Sequence, residues 1–90
     1  MVAAVVMIDC SLDAIPDVAE GVAEIEGVSE AYSVSGEWDV VAVVRVPAWA
    51  RIVEVVTEGI AKVDGIVQTE TLIAFRVYST DELSAAYSWE

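Results

Sequence analysis

The apolar residues of this chain follow two patterns. One is a continuous run, typical of a buried strand, and the other is a spacing of three to four residues, typical of a helix. Residues 2–8 are continuously apolar and rich in valine, as in a strand buried on both faces. The next apolar residues are spaced as on one face of a helix, and they are Ile15, Val18, Val22 and Ile25. Gly27 ends this predicted helix, and residues 28–34 return to a strand pattern.

A second helix and two further strands repeat this arrangement. The phrase V-A-E-I-E-G-V at residues 22–28 is similar to I-A-K-V-D-G-I at residues 60–66, so each copy ends a helix at a glycine and begins a strand. Residues 39–46 are the third predicted strand and residues 66–78 the fourth. Between them Pro47 begins a helix, whose inward stripe is predicted to be Trp49, Ile52, Val56, Ile60 and Val63.

The order strand, helix, strand, strand, helix, strand predicts an α+β fold, the ferredoxin-like βαββαβ sandwich. Ser79 and Glu82 have capping-box spacing, which predicts a short C-terminal helix. Residues 1–90 contain no linker-like or low-complexity stretch, so we expect a single domain.

The two-sided apolarity of the predicted strands indicates how the protein assembles. In this topology both helices cover one face of the sheet and leave the other face open. That open face measures on the order of 400 Å² and would consist largely of valine, alanine and isoleucine. A patch of this size favours a symmetric dimer in which two sheets pack face to face, as in a dimeric α/β barrel.

Charge and residue content exclude several functions. Sixteen acidic and four basic residues give a net charge of -12, which would repel phosphate backbones and excludes direct nucleic-acid binding. The absence of histidine excludes Ser-His and Cys-His nucleophiles and histidine metal sites. No metal and no cofactor is predicted.

The single cysteine and the apolar run at the N-terminus predict an intracellular protein. Cys10 has no intrachain partner for a disulfide and is predicted to be a small hydrophobic residue at a strand end. The apolar run at residues 1–8 is too short to span a membrane and lacks the basic region of a signal peptide. We therefore expect a reducing, cytoplasmic location without membrane contact.

The hairpin at residues 34–40 places Gly36, Trp38 and Asp39 close together. As structure alone, the glycine forms the turn and the aspartate ends it. As a binding site, the bare backbone at Gly36 would let a small polar ligand approach N–H groups, and Asp39 could accept an ammonium group. The residues themselves leave both interpretations open.

A second polar stretch opens the otherwise apolar fourth strand, and it contains Gln68, Thr69 and Thr71. These amide and hydroxyl groups are either an ordinary solvated strand end or hydrogen-bonding partners for a ligand. We expect the hairpin and this strand start to lie side by side at an edge of the sheet.

These segments resemble a known family. Y-S-V-S-G-E-W-D-V-V at residues 32–41 and D-G-I-V-Q-T-E-T at residues 64–71 follow an apolar first strand and a helix ending in E-G-V. Together they resemble the ligand-sensing domain of leucine-responsive, or Lrp/AsnC-type, transcription regulators, over the chain up to about Tyr78. Those regulators carry an N-terminal helix-turn-helix, whereas this chain begins at the first strand, so it resembles a stand-alone sensing domain.

The resemblance implies a face-to-face dimer, often a ring of dimers, and a small effector, typically an amino acid, bound between neighbouring dimers. It implies that the effector contacts Gly36, Trp38, Asp39, Gln68, Thr69 and Thr71. Trp38 stands where a tyrosine is common in the family.

We therefore expect a non-enzymatic module that binds an amino acid, forms homo-oligomers and could modulate a full-length regulator. The alternative is a dimeric α/β-barrel enzyme, such as a cofactor-free monooxygenase or an isomerase. Such enzymes have a polar cavity between helices and sheet, which the aliphatic pattern here does not favour. A third possibility is an oligomerisation domain without a ligand, and only a binding measurement separates it from the first.

Overall fold

Four antiparallel strands form one sheet, and the helices cover one of its faces. This computed structural model describes residues 1–78, so the helix predicted at Ser79 and Glu82 lies outside the described residues. The strands are β1 (Val2–Cys10), β2 (Val28–Ser33), β3 (Val40–Val46) and β4 (Ile66–Ile73), in the spatial order β2-β3-β1-β4. The structure confirms the ferredoxin-like sandwich, with a fourth strand shorter than predicted.

The first helix matches the predicted apolar stripe. A 3-10 turn, Leu12–Ala14, precedes α1 (Ile15–Ala23), and Pro16 lies in its first turn, where a missing N–H is tolerated. Val18 and Val22 are fully buried against the sheet. The spacing of apolar residues therefore predicted both the helix and its buried face.

The second helix differs from its prediction. α2 (Trp49–Glu54) continues as a π-helical segment, Val55–Gly59, and ends in a 3-10 turn, Ile60–Lys62. A π turn inserts one residue, which rotates the following side chains about the axis. Val55 is buried where Val56 was expected, and the π turn keeps Ile60 buried five residues later. Trp49, which precedes the π turn, is half exposed instead of lying in the inward stripe.

Alternate residues of the central strands β1 and β3 face opposite sides of the sheet. The buried core against the helices includes Ala4, Val6, Ile8, Val40, Ala42 and Val44. The opposite side, here called the outer face, pairs Val5 with Val43 and Met7 with Val41. These four residues are only half buried, and the outer face also carries Tyr32 and Leu72 with the charged Glu30, Arg45 and Glu70. The expected open apolar face is thus present, with more charge at its margins than predicted.

Two glycines allow the end of α1 to approach the π-helical segment closely. Gly27 has a φ of +102°, and a Cβ placed there would lie 2.7 Å from Cγ2 of Val55. A Cβ at Gly59 would lie 2.8 Å from Cγ2 of Ile25. The absence of a side chain at these two glycines therefore lets α1 and the π-helical segment pack in direct contact.

We predict that Gly27→Ala destabilises the protein by about 2 kcal/mol or more, because it adds a steric clash to an unfavourable backbone conformation. Gly36→Ala is the matched control, since Gly36 has a φ of +118° but a Cβ there would meet nothing within 4 Å. Urea unfolding gives the free energy of unfolding of both variants. The loss in Gly36→Ala measures the cost of the backbone conformation alone, and the additional loss in Gly27→Ala measures the clash with Val55. Equal losses of stability would show that the close packing against Val55 contributes nothing.

Candidate functional site

The two predicted polar segments lie at the same end of the sheet, with the end of β1 between them. On one side, the backbone N–H of Asp39 donates to the carbonyl of Ile8 at 2.9 Å. On the other side, Thr69 pairs with the same Ile8. The expectation that the hairpin and the start of β4 lie side by side at an edge is therefore corrected, because β1 lies between them and the two edges of the sheet are β2 and β4.

The Asp39 carboxylate binds the end of β1 on the side of the hairpin, opposite the β4 side, where the strand pairing shifts register between Asp9 and Cys10. The N–H of Cys10 donates to Oδ2 of Asp39 at 3.0 Å. Truncation of Asp39 would leave this partly buried N–H without its acceptor, at a cost of about 1–3 kcal/mol. Asp39 thus has a structural role that the hairpin sequence did not indicate.

Gly36 lies in the exposed loop that joins β2 to β3. The N–H of Val34 donates to the carbonyl of Asp39 at 3.0 Å and closes this loop. The φ of +118° at Gly36 is rare for residues with side chains, so the turn interpretation holds. The space around Gly36 is open, which leaves its backbone accessible to a ligand or to a second subunit. Trp38 is half buried beside it.

The three polar residues of β4 divide between the two faces of the sheet. Gln68 pairs with Asp9 and lies on the outer face. Thr69 and Thr71 pair with Ile8 and Val6, whose side chains face the helices. Thr71 is half buried, while Gln68 and Thr69 are exposed at the uncovered margin of β4. A ligand that contacts all three must therefore approach around the edge of the sheet.

Cys10 is buried at this end of the sheet, as predicted. Burial raises the pKa of its thiol, and the nearby carboxylates of Asp39 and Asp9 raise it further. Because the thiolate is the nucleophilic form, burial and the two carboxylates both lower the reactivity of this cysteine. Asp9 itself was missed by the sequence analysis, although it is the first charged residue after the long apolar run and pairs with Gln68.

We predict that native Cys10 reacts with iodoacetamide at least about a hundredfold more slowly than in denaturant, since reaction requires opening of the sheet end. Its raised pKa keeps the thiol protonated until the pH passes that value, so the rate should climb only in alkaline solution. Mass spectrometry of the alkylated protein over a pH series measures this. Fast labelling at neutral pH would contradict the buried position of Cys10.

Two further classes of site are not found in the described part of the chain. Among residues 1–78 no group of His, Cys, Asp and Glu side chains is arranged to hold a metal ion. Within the same range no helix is long and apolar enough to cross a membrane.

Comparison with known proteins gives consistent matches. A family model described as the Lrp/AsnC ligand binding domain matches residues 3–83. An HTH-type transcriptional regulator from Pyrococcus furiosus is 37% identical over 59 residues, which are 66% of this chain and 39% of that protein. The chain therefore matches only about two fifths of the length of this relative.

Solved structures share the fold. The protein TTHA0845 from Thermus thermophilus has a TM-score of 0.83 at 40% identity, covering 88% of this chain and 99% of its own. A transcriptional regulator from Neisseria meningitidis, solved as a complex with L-Met, has a TM-score of 0.73 at 16% identity, covering 88% of this chain and 54% of its own. At 16% identity, the likeness to the Neisseria meningitidis regulator shows a shared fold and nothing further.

Proposed function

The chain belongs to the family of Lrp/AsnC ligand-binding domains, and on that premise we propose that it binds a free amino acid as an effector and assembles through its outer face. The module acts by binding and not by catalysis. Its effector site lies at the sheet end that contains Gly36, Trp38 and Asp39 and the start of β4.

The observation that carries the proposal is the placement of complementary polar groups around one end of β1. Asp39 uses one carboxylate oxygen for the N–H of Cys10, which leaves the other available to an ammonium group. The open backbone at Gly36 and the hydroxyl of Thr69 can donate to a carboxylate. An α-amino acid carries an ammonium and a carboxylate group on the same carbon atom, so it offers a partner to both kinds of group.

The fold of the Neisseria meningitidis regulator supports an amino acid as the ligand class. That protein was solved as a complex with L-Met and has the same fold as this chain. Its low identity transfers no contact residue, so the positions proposed here rest on the geometry of this chain and on the family resemblance.

The outer face supports the proposed assembly. Val5, Met7, Val41 and Val43 form an apolar centre in the two middle strands. Pairing two such faces would remove this area from water, and each Å² of apolar surface buried contributes about 25 cal/mol. A dimer built this way leaves the hairpin loops at its periphery, where a neighbouring dimer could complete the effector site.

The interior of the sandwich argues against the enzyme alternative. The space between helices and sheet is filled by fully buried aliphatic side chains such as Ile8, Val22 and Ile60, and no buried polar or charged residue is found within residues 1–78. A catalytic cavity at this place would need convergent polar groups. The relatives matched by sequence are transcriptional regulators.

A thermal-shift screen with the twenty amino acids tests the proposal. A ligand at a concentration of 100 times its Kd adds about 2.7 kcal/mol to native stability. For a domain of this size that corresponds to a rise in Tm of roughly 10 °C. One amino acid or one chemical group of them should produce the shift. If none does, the module is an oligomerisation domain without an amino-acid effector.

A further inference from the structure

A groove lies where the end of α1 meets the π-helical segment, on the helix side of the protein and away from the proposed effector site. Its volume is about 200 Å³. Ile25, Val55 and Gly59 form its apolar floor. Its rim carries three carboxylates and one guanidinium group, from Glu26, Glu54, Glu58 and Arg51.

The groove results from the local backbone. Gly59 lies against Ile25 so closely that a Cβ would come within 2.8 Å of that side chain. The π-helical segment places Val55 toward the core and Glu58 toward the rim. Helical segments of this kind are rare and occur frequently at functional sites. The floor of the groove is therefore set by the packing of α1 against the π-helical segment, while its rim consists of exposed side chains.

The charge of the rim is only partly neutralised within the chain. Nε of Arg51 lies 2.9 Å from Oε1 of Glu54, and this exposed ion pair is the only salt bridge found among the described residues. Glu26 and Glu58 add two further negative charges at the same groove. An apolar floor beside an acidic rim suits a side chain with an aliphatic stem and a cationic end.

We propose that this groove docks a lysine or arginine side chain presented by a positively charged protein partner. A volume of about 200 Å³ accommodates one long side chain, whose stem would cover Ile25 and Val55 while its charged end meets Glu26 and Glu58. The proposal is independent of the amino-acid effector and of the outer face.

A second copy of this chain is a poor occupant of the groove. The chain has only four basic residues against sixteen acidic ones, so a second copy offers few cationic side chains. Arg51 already lies in the groove and Arg45 lies on the outer face, so only Lys62 and Arg76 could enter from a second copy. Residues 79–90 contain no lysine or arginine. A nucleic acid would be repelled, which leaves a basic protein as the occupant with complementary charge.

Two labelled peptides test the groove by fluorescence anisotropy at physiological salt, one repeating Gly-Lys-Ser and the other the same sequence with each lysine replaced by 2,4-diaminobutyrate, which keeps the charge on a stem two methylenes shorter. The full chain should bind the lysine peptide more tightly, because only its stem is long enough to cover Ile25 and Val55 while the charged end reaches Glu26 and Glu58. The Glu26→Gln/Glu58→Gln variant should weaken this binding about tenfold, since each exposed charge pair contributes up to about 1 kcal/mol.

The control variant is Asp17→Asn/Glu20→Gln, which makes the same charge change on the exposed side of α1. It should weaken binding much less than the groove variant. Equal weakening in both variants would show general charge attraction and overturn the proposal. Failure of the wild-type chain to bind either peptide, or equal affinity for the two peptides, would overturn it too. Circular dichroism melting curves confirm that each variant is folded.

Discussion

Val43→Asp is expected to convert the assembled protein into a monomer or to unfold it. Val43 pairs with Val5 in the middle of the sheet, and both side chains lie on the outer face. In a face-to-face dimer the new carboxylate would be buried against the partner sheet, next to the Glu30 carboxylate that pairs with this position and two residues from Arg45 on the same face. Burying a charge beside a like charge costs several kcal/mol, so the dimer Kd should rise at least about a thousandfold.

Val53→Asp is the matched control, because Val53 is 60% exposed on α2 and lies away from the outer face. Sedimentation velocity should give a monomer for Val43→Asp and the wild-type mass for Val53→Asp. Where Val43→Asp does not fold, the nearly isosteric Val43→Thr should still weaken the dimer about tenfold or more, since it buries a hydroxyl. Wild-type masses for folded Val43→Asp and Val43→Thr would rule out assembly through this face.

The central strands could be predicted from the sequence without knowing which of their residues face the core. In β1 and β3 both sets of alternate residues are apolar, so a shift of one residue would not have changed the prediction of a buried strand. Apolar residues on both sides of these strands also predicted an open apolar face, because the helices can cover only one side of the sheet. The charges on that face come from β2, from β4 and from the ends of β1 and β3.

The π-helical segment could not be predicted from the sequence. Val55 and Val56 are neighbouring valines, so the pattern does not show which of them is buried. The choice depends on packing against Ile25 and Gly27, which are distant in the chain. The groove at that junction was missed for the same reason.

The geometry of the effector site was also beyond sequence reasoning. Cys10 and Asp39 are 29 residues apart, and their hydrogen bond forms because the end of the hairpin lies beside the end of β1. The sequence indicated polar groups at both segments, but it could not show that β1 lies between them. It also could not show which of Gln68 and Thr69 lies on the outer face, because that depends on the register of β4 against β1.

Asp39→Asn is expected to weaken binding of the identified effector by about a hundredfold while the protein stays folded. The asparagine side chain keeps a carbonyl oxygen that can accept from the N–H of Cys10, so the support of β1 is retained. It loses the negative charge proposed to hold the ammonium group, and a charge-assisted hydrogen bond contributes up to about 3 kcal/mol. Asp39→Ala is less informative, because it removes both functions together.

Glu37→Gln provides the control for Asp39→Asn, since it removes a carboxylate from the same exposed loop. Calorimetric titration should give nearly wild-type affinity for Glu37→Gln and strongly reduced affinity for Asp39→Asn. Urea unfolding of both variants shows whether the sheet end is intact, which separates lost recognition from lost structure. An unchanged affinity in folded Asp39→Asn would place the ammonium group elsewhere. The role of Asp39 would then be its hydrogen bond to Cys10, and Gly36 would be a turn residue.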